Sequence, residues 1–197
     1  MNQKAPRRLL VLVLPLVAWL LAACETIPMS PFTGYPTQDK IHLKVAAKAT
    51  GELLAAKGEE WAIEWRIPIG PLIATNAPLL ARQLFDDVID VSAGQPPPTE
   101  SVAAILTPRL AYFAVAKGAS SGNQYFTDIK VEWTLTDAKG KTIWVDTVDG
   151  RSSESIPDNP KGRGKAVKAA LEDLLLKSQR AIASAPAVRQ FAQHPPP

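Results

Sequence analysis

A long alternating stretch, followed by a turn and a second apolar run, constrains the fold of this chain more than any other feature. From Tyr125 to Leu135, every second side chain belongs to one face, which is the two-residue period of a half-buried strand. Residues 137–140, with the sequence Asp-Ala-Lys-Gly, have the composition of a hairpin turn, and residues 142–148 supply the return strand. The sequence therefore predicts a β-hairpin that packs one of its faces on a core.

The register of this hairpin depends on the length of its loop. A four-residue loop pairs Trp133 with Trp144, whereas a three-residue loop with a left-handed Gly140 pairs Trp133 with Val145. The shorter loop gathers more apolar side chains on one face, and a slip of one residue would turn that whole set over. We therefore favour the shorter loop. It places Trp144 on the face opposite the core, either packed under a loop or in contact with a partner.

Apolar periodicity elsewhere predicts three more strands and two helices. The strands are expected over 41–45, 61–69 and 105–115, and the helices over 77–91 and 165–183. The order is then β-β-α-β-β-β-α. Its simplest arrangement is a single α+β domain over 41–184, an antiparallel sheet of about five strands with two helices packed on one face. The tail, 185–197, ends in Pro-Pro-Pro and is predicted to be disordered.

The N-terminus has the composition of an export signal. Residues 1–8 are polar and basic, and an apolar run of 15 residues from Leu9 to Ala23 follows, interrupted only by Pro15. At about 1.5 Å per residue the run spans roughly 22 Å, which is shorter than the roughly 30 Å hydrocarbon core of a bilayer. We therefore expect residues 1–23 to be a cleaved signal peptide, with an uncleaved membrane anchor as the alternative.

The residues that end this segment, Leu21-Ala-Ala-Cys24, resemble a bacterial lipobox, and Cys24 is the only cysteine of the chain. The resemblance implies that the Cys24 thiol receives diacylglycerol, that cleavage falls between Ala23 and Cys24, and that a fatty acid such as palmitate acylates the new N-terminus. Several acyl chains hold a protein on a membrane far more firmly than a single one. Glu25 stands where aspartate would retain an enteric lipoprotein in the inner membrane. The resemblance therefore implies an outer-membrane anchor that faces the periplasm.

The segment between the lipidated cysteine and the domain is expected to be an extended tether. Residues 24–40 contain three prolines and show no apolar periodicity. This segment would connect the membrane to the first strand without forming part of the core.

The net charge argues against nucleic acid as a ligand. The chain has 22 lysines and arginines against 19 acidic residues, a formal charge of +3, and Lys4, Arg7 and Arg8 account for the whole excess. After cleavage before Cys24, the remaining 19 basic and 19 acidic residues balance. This balance leaves no basic footprint for a polyanion. Membrane affinity is therefore expected from the acyl chains and not from surface charge.

Residues for catalysis or metal binding are scarce in this sequence. Two histidines, His42 and His194, and one cysteine give little material for a metal site. Asp86-Asp87 is interpreted as a solvated face, and residues 162–165 as the start of a helix rather than an anion site. We expect no catalytic residue, no metal and no cofactor, and therefore a protein that is not an enzyme.

With its lipobox, β-rich core, Asp-x-x-Gly hairpin and closing amphipathic helix, the chain resembles the small α/β lipoproteins of the Gram-negative envelope. The resemblance covers residues 41–184 and implies an accessory role in envelope transport or cell-wall synthesis. The first hypothesis is a non-enzymatic lipoprotein that binds an envelope protein. The alternative is a small-molecule or lipid-binding module in which Trp61 and Trp65, on one face of a strand, line a pocket.

Overall fold

The computed structural model describes residues 32–34, 40–60, 63–117, 125–152 and 160–194. Within these ranges the chain forms seven strands and four helices. In chain order they are β1 (Ile41–Lys48), α1 (Gly51–Ala55), β2 (Gly58–Glu60), β3 (Ile63–Ile67), α2 (Ile69–Leu84), β4 (Phe85–Val91), β5 (Ala104–Lys117), β6 (Tyr125–Asp137), β7 (Thr142–Arg151), α3 (Pro160–Ser184) and α4 (Pro186–Gln193).

The α+β class and the five-stranded sheet are confirmed, and the sheet is mixed rather than purely antiparallel. Its strand order is β4-β1-β5-β6-β7, while β2 and β3 form a separate two-stranded sheet. Strand β1 runs parallel to both β4 and β5, and β5, β6 and β7 are antiparallel neighbours. The parallel pairing arises because the chain from β1 to β4 passes through a long crossover that contains α1 and α2, which returns it to the same end of the sheet.

One core lies between the inner face of the sheet and the helices. In β6 the predicted alternation is confirmed, because Ile129, Val131, Trp133 and Leu135 are all fully buried. The predicted apolar stripe of the second helix is confirmed in α3 for the residues that face this core, Val167, Ala170, Leu171 and Leu174. Two periodicities, one of the strand and one of the helix, thus meet in the same apolar layer.

The helix predicted over 77–91 is wrong at both ends. Helix α2 begins at Ile69 and includes Pro78, and residues 85–91 form β4. The three-residue step between Val88 and Val91 fits a helix, since an odd step puts two residues of a strand on opposite faces. Pairing with β1 overrides this periodicity and fully buries Phe85.

The turn of the β6–β7 hairpin follows the prediction. Gly140 has a φ of +85°, and its N–H donates to the Asp137 carbonyl oxygen at 3.0 Å. The Asp137 N–H donates to the Lys141 carbonyl oxygen at 2.8 Å, which closes a loop of three residues. A glycine is favoured at position 140 because a side chain is strained at positive φ.

The register beyond the turn is wrong in the prediction by one residue. A second bulge lies between Leu135 and Thr136, so that Leu135 pairs with Trp144 and Ile143 is the additional residue of β7. Both Ile143 and Trp144 pack against the core, and Val145 points to the opposite face. The bulge therefore brings Trp144 to the core in place of Val145.

The tail predicted to be disordered over 185–197 contains helix α4. Pro186 begins this helix, where a proline needs no N–H partner, and Val188 is fully buried. Phe191 packs against the same core. Burial of these two side chains holds α4 on the domain.

Part of the predicted tether docks on the domain. Phe32 packs against the core, and Gly34 lies beside Gln83 of α2 and Gln179 of α3. Residues 32–34 therefore lie against α2 and α3.

Candidate interaction surface

The face of the sheet opposite the core, which we call the open face, carries exposed side chains of large residues. Tyr112 of β5, Phe126 of β6 and Val145 of β7 are 49%, 40% and 54% exposed. Phe126 lies on this side because it alternates with the buried residues of β6, and Tyr112 and Val145 lie there because they pair with Lys130 and Thr134 on the same face of β6. Such side chains on one continuous sheet face form a candidate site for a protein partner.

A bulge in β5 directs Tyr112 to the open face. The register with β6 shifts between Leu110 and Tyr112, so that Tyr112 pairs with Lys130. The Lys130 Nζ lies 5.8 Å from the centre of the Tyr112 ring, which is within the range of a cation–π contact. The ring is thus held in place while about half of its surface stays accessible.

Between the aromatic residues and Val145, an ion pair crosses two strands. The Arg109 Nε donates to Glu132 Oε1 at 3.0 Å, and Arg109 Nη2 donates to Glu132 Oε2 at 3.0 Å. These hydrogen bonds lower the pKa of the Glu132 carboxyl and raise the pKa of Arg109, and attraction between the two charges acts in the same direction. The bidentate geometry fixes both side chains in the plane of the open face.

The edge of the sheet beside the open face is protected by carboxylates. The Thr147 N–H donates to Asp146 Oδ1 at 2.8 Å, and the Arg151 N–H donates to Asp173 Oδ2 at 3.0 Å. These outward N–H groups of β7 are therefore occupied, which blocks strand addition at those positions. Addition of a strand at these two positions of the β7 edge is therefore disfavoured.

The residues that the sequence singled out do not form this surface. Trp144 lies on the core side of β7, so its predicted place on the opposite face is wrong. Trp61 and the side chain of Trp65 lie outside the described residues, as do Ala23 and Cys24. Sequence analysis missed Tyr112, Phe126 and Val145.

Only one of these three residues had a usable signal in the sequence. Phe126 lies on the second face of the alternating strand, so the period itself indicates its side. The faces of the sheet on which Tyr112 and Val145 lie depend on two bulges, and a bulge leaves no periodic pattern in the sequence.

A groove of about 460 Å³ lies between the β6–β7 turn and α4. Its walls include Asp137, Ile143 and Phe191. Asp137 Oδ1 already accepts hydrogen bonds from the N–H groups of Lys139 and Lys141, at 2.9 and 2.8 Å. The lining of the groove contains no buried polar side-chain atom of the described residues that lacks a partner.

Residues 118–122 match the spacing Gly-x-Ser-x-Gly of a nucleophile motif, although the sequence is expected to hold no catalytic residue. That motif serves catalysis where a strand turns into a helix. In this chain the flanking elements are β5 and β6, two antiparallel strands, and the five residues themselves lie outside the described part of the chain. The strand-to-strand setting gives no support to a nucleophile elbow.

In the described ranges, no group of three or more His, Cys, Asp or Glu side chains is placed to hold a metal ion. None of the helices in the described part of the chain is both long and apolar enough to cross a bilayer.

Comparison with known proteins shows a shared fold. A Xanthomonas campestris protein of family DUF330 matches 85% of this chain and 96% of its own length, with 12% identity and a TM-score of 0.56. A hypothetical protein from Chlamydia trachomatis matches 77% of this chain and 98% of its own length, with 14% identity and a TM-score of 0.43. Uncharacterized lipoprotein B from Nitrosomonas europaea matches 81% of this chain and 91% of its own length, with 11% identity and a TM-score of 0.39.

The first of these likenesses establishes that the Xanthomonas protein and this chain have the same overall fold. No protein-family model matches the sequence, and no curated protein matches it.

Proposed function

We propose that this protein is a lipid-anchored lipoprotein that binds a protein partner of the bacterial envelope through the open face of its sheet. In this proposal the protein acts as an accessory and is not an enzyme. The observation that carries the proposal is the open face itself, where Tyr112, Phe126 and Val145 are exposed around the Arg109–Glu132 ion pair. Aromatic residues and arginine are the side chains that most often dominate protein interfaces.

The anchor in this proposal is Cys24, which ends the lipobox-like Leu-Ala-Ala-Cys sequence. Acylation there would hold the protein on the outer membrane, facing the periplasm, with Glu25 as the residue that favours this membrane. Replacement of Cys24 by alanine is expected to abolish acyl labelling and to leave an uncleaved precursor, whereas labelling that persists would refute the anchor.

Rigidity of the open face supports a protein partner. Lys130 contacts the Tyr112 ring, and two parallel hydrogen bonds join Arg109 to Glu132, so these side chains lose less freedom on binding than unpaired ones would. The β7 edge is protected by Asp146 and Asp173, which favours face-on contact.

Site-specific photo-crosslinking tests the proposal in living cells. A photoreactive amino acid is placed at Tyr112, Phe126 or Val145, and at Glu172, an exposed residue of α3, as the matched control. We expect one crosslinked species from the three open-face positions and none from Glu172.

A second variant connects that species to the surface chemistry. Arg109→Ala, introduced beside the photoreactive residue at Phe126, should weaken the crosslink while the far-ultraviolet spectrum stays native. A crosslink from Glu172 alone, or equal crosslinks from all four positions, would contradict the proposed surface.

A further inference from the structure

Charge is segregated between the two layers of this domain. Helices α2, α3 and α4 together contain eight basic residues and two acidic ones, a net charge of +6. The five strands of the main sheet contain six basic and eight acidic residues, a net charge of −2. The chain-wide balance after cleavage therefore conceals a basic helix layer, by which we mean α2, α3 and α4.

Residues 32–34, at the N-terminal side of the domain, lie against the same basic helix layer. Phe32 packs against the core, and Gly34 lies beside Gln83 of α2 and Gln179 of α3. Gly34 has a φ of +62°, and a Cβ there would lie 3.0 Å from Gln179 Oε1. A positive φ and a tight fit together favour glycine at this docking point.

Covalent geometry then limits how far the domain can lie from Cys24. Phe32 is eight residues after Cys24, and eight residues span at most about 26–29 Å when fully extended. A flexible chain of this length has a root-mean-square span of roughly 16 Å. One helix layer on one sheet is about 20 Å thick. The open face could therefore reach the membrane only if the segment were almost fully stretched around the side of the domain.

We propose that the basic helix layer lies on an anionic bilayer surface and that the open face points away from the membrane. This inference rests on the proposed acylation of Cys24. The partner of the helix layer is thus the anionic lipid headgroup, and the envelope protein binds on the opposite side.

Electrostatics favours this orientation over the reverse. Side chains such as Arg82, Lys165 and Arg189 are exposed on the helix layer, and cations within a Debye length of an anionic surface are attracted to it. The sheet, whose charges sum to −2 over both of its faces, has no such excess of cations to attract that surface. The short tether and the positive charge of the helix layer therefore both favour contact between the helices and the membrane.

The distance of nitroxide labels from the membrane surface tests the inference. The acylated lipoprotein is reconstituted in vesicles of phosphatidylcholine, with or without phosphatidylglycerol. Since acylation blocks the only native cysteine, Thr75→Cys on the exposed side of α2 and Val145→Cys on the open face each accept one nitroxide. Relaxation by nickel chelated to lipid headgroups reports the distance of each label from the surface.

We expect the label at residue 75 to lie about 20 Å closer to the headgroups than the label at residue 145. The difference should grow with phosphatidylglycerol and shrink in high salt. Replacing Lys165 and Arg189 by glutamine should reduce it in anionic vesicles. The matched pair Lys139→Gln and Lys141→Gln, which removes the same charge from the exposed β6–β7 turn, should leave it unchanged. Phe32→Ala, which releases the tether, should reduce it even in neutral vesicles.

Equal depths, or a deeper label at residue 145, in protein that floats with the vesicles would overturn the orientation and leave the anchor intact. An effect of the turn variant as large as that of the helix variant would refute the role of the basic layer. Protein that fails to float with any vesicle would instead refute the acyl anchor, and with it the proposed function.

Discussion

Gly150 of β7 packs directly against the carbonyl group of Ala170 in α3. A Cβ on Gly150 would overlap that oxygen and would lie 2.6 Å from the backbone nitrogen of Leu174. Absence of a side chain at this position lets α3 lie close on the last strand of the sheet. The helix layer and the sheet are therefore held together at a point where only hydrogen fits.

Replacement of Gly150 by alanine should destabilise the fold. The added methyl group would overlap backbone atoms of α3, which cannot move as freely as a side chain, so a cost of about 1–3 kcal/mol in the free energy of unfolding is expected. Urea denaturation measures this cost. Gly51→Ala is the matched control, because nothing lies within 4 Å of a Cβ there, and its midpoint should stay near that of the wild type. Equal midpoints for both variants would contradict the close contact.

The hairpin register predicts that truncation destabilises the fold strongly at one residue and hardly at all at its neighbour. Trp144 packs against the core and Val145 is 54% exposed. Trp144→Ala should therefore cost about 2–4 kcal/mol, somewhat less than a fully buried tryptophan. Val145→Ala should change stability by no more than about 0.5 kcal/mol. If Val145→Ala unfolded at a lower midpoint than Trp144→Ala, the result would instead support the predicted register, in which the hairpin has a bulge in its turn and none beyond it.

The pH dependence of Glu132 follows from its hydrogen bonds to Arg109. Its lowered pKa means that it titrates below the ordinary value of about 4.3. Its contribution to stability is present above the unfolded-state pKa and is lost as the pH falls through the lower folded-state pKa. Carbon-detected NMR titration measures that midpoint, and Arg109→Gln should raise it.

A midpoint that stays low in Arg109→Gln would mean that another group sets the pKa of Glu132. Glu52 contributes to the charge around Arg109, so Glu52→Gln serves as the control, with little effect expected on the Glu132 midpoint.

Helix α4 should contribute to the stability of the whole domain. Val188 is fully buried, and an unpaired carboxylate in its place would be desolvated, so Val188→Asp is expected to lower stability strongly. Gln190→Asp, two residues further on at an exposed position, is the matched control. Thermal unfolding distinguishes them, and similar melting temperatures would indicate that α4 is not docked.

Elements with one clear hydrophobic periodicity could be assigned from the sequence alone. The alternation in β6 and the apolar stripe of α3 each bury one side of one element, so the pattern is complete within the segment itself. Residues 85–91 could not be assigned in this way, because the three-residue step from Val88 to Val91 fits a helical period and only the neighbouring β1 selects the strand. Helix α4 was missed because it has only eight residues and prolines lie at or near both of its ends, although its apolar residues follow a helical period.

The sequence by itself determined the hairpin turn at Gly140, the buried face of β6 and the lipobox-like N-terminus, since each depends on neighbours along the chain. Tertiary structure alone decided which side Tyr112, Trp144 and Val145 occupy, because a bulge shifts a strand by one residue and leaves the local composition unchanged. It also decided that a chain of balanced charge has a basic helix layer. Net charge is a sum over residues, whereas the field at a surface depends on which of them the fold brings together.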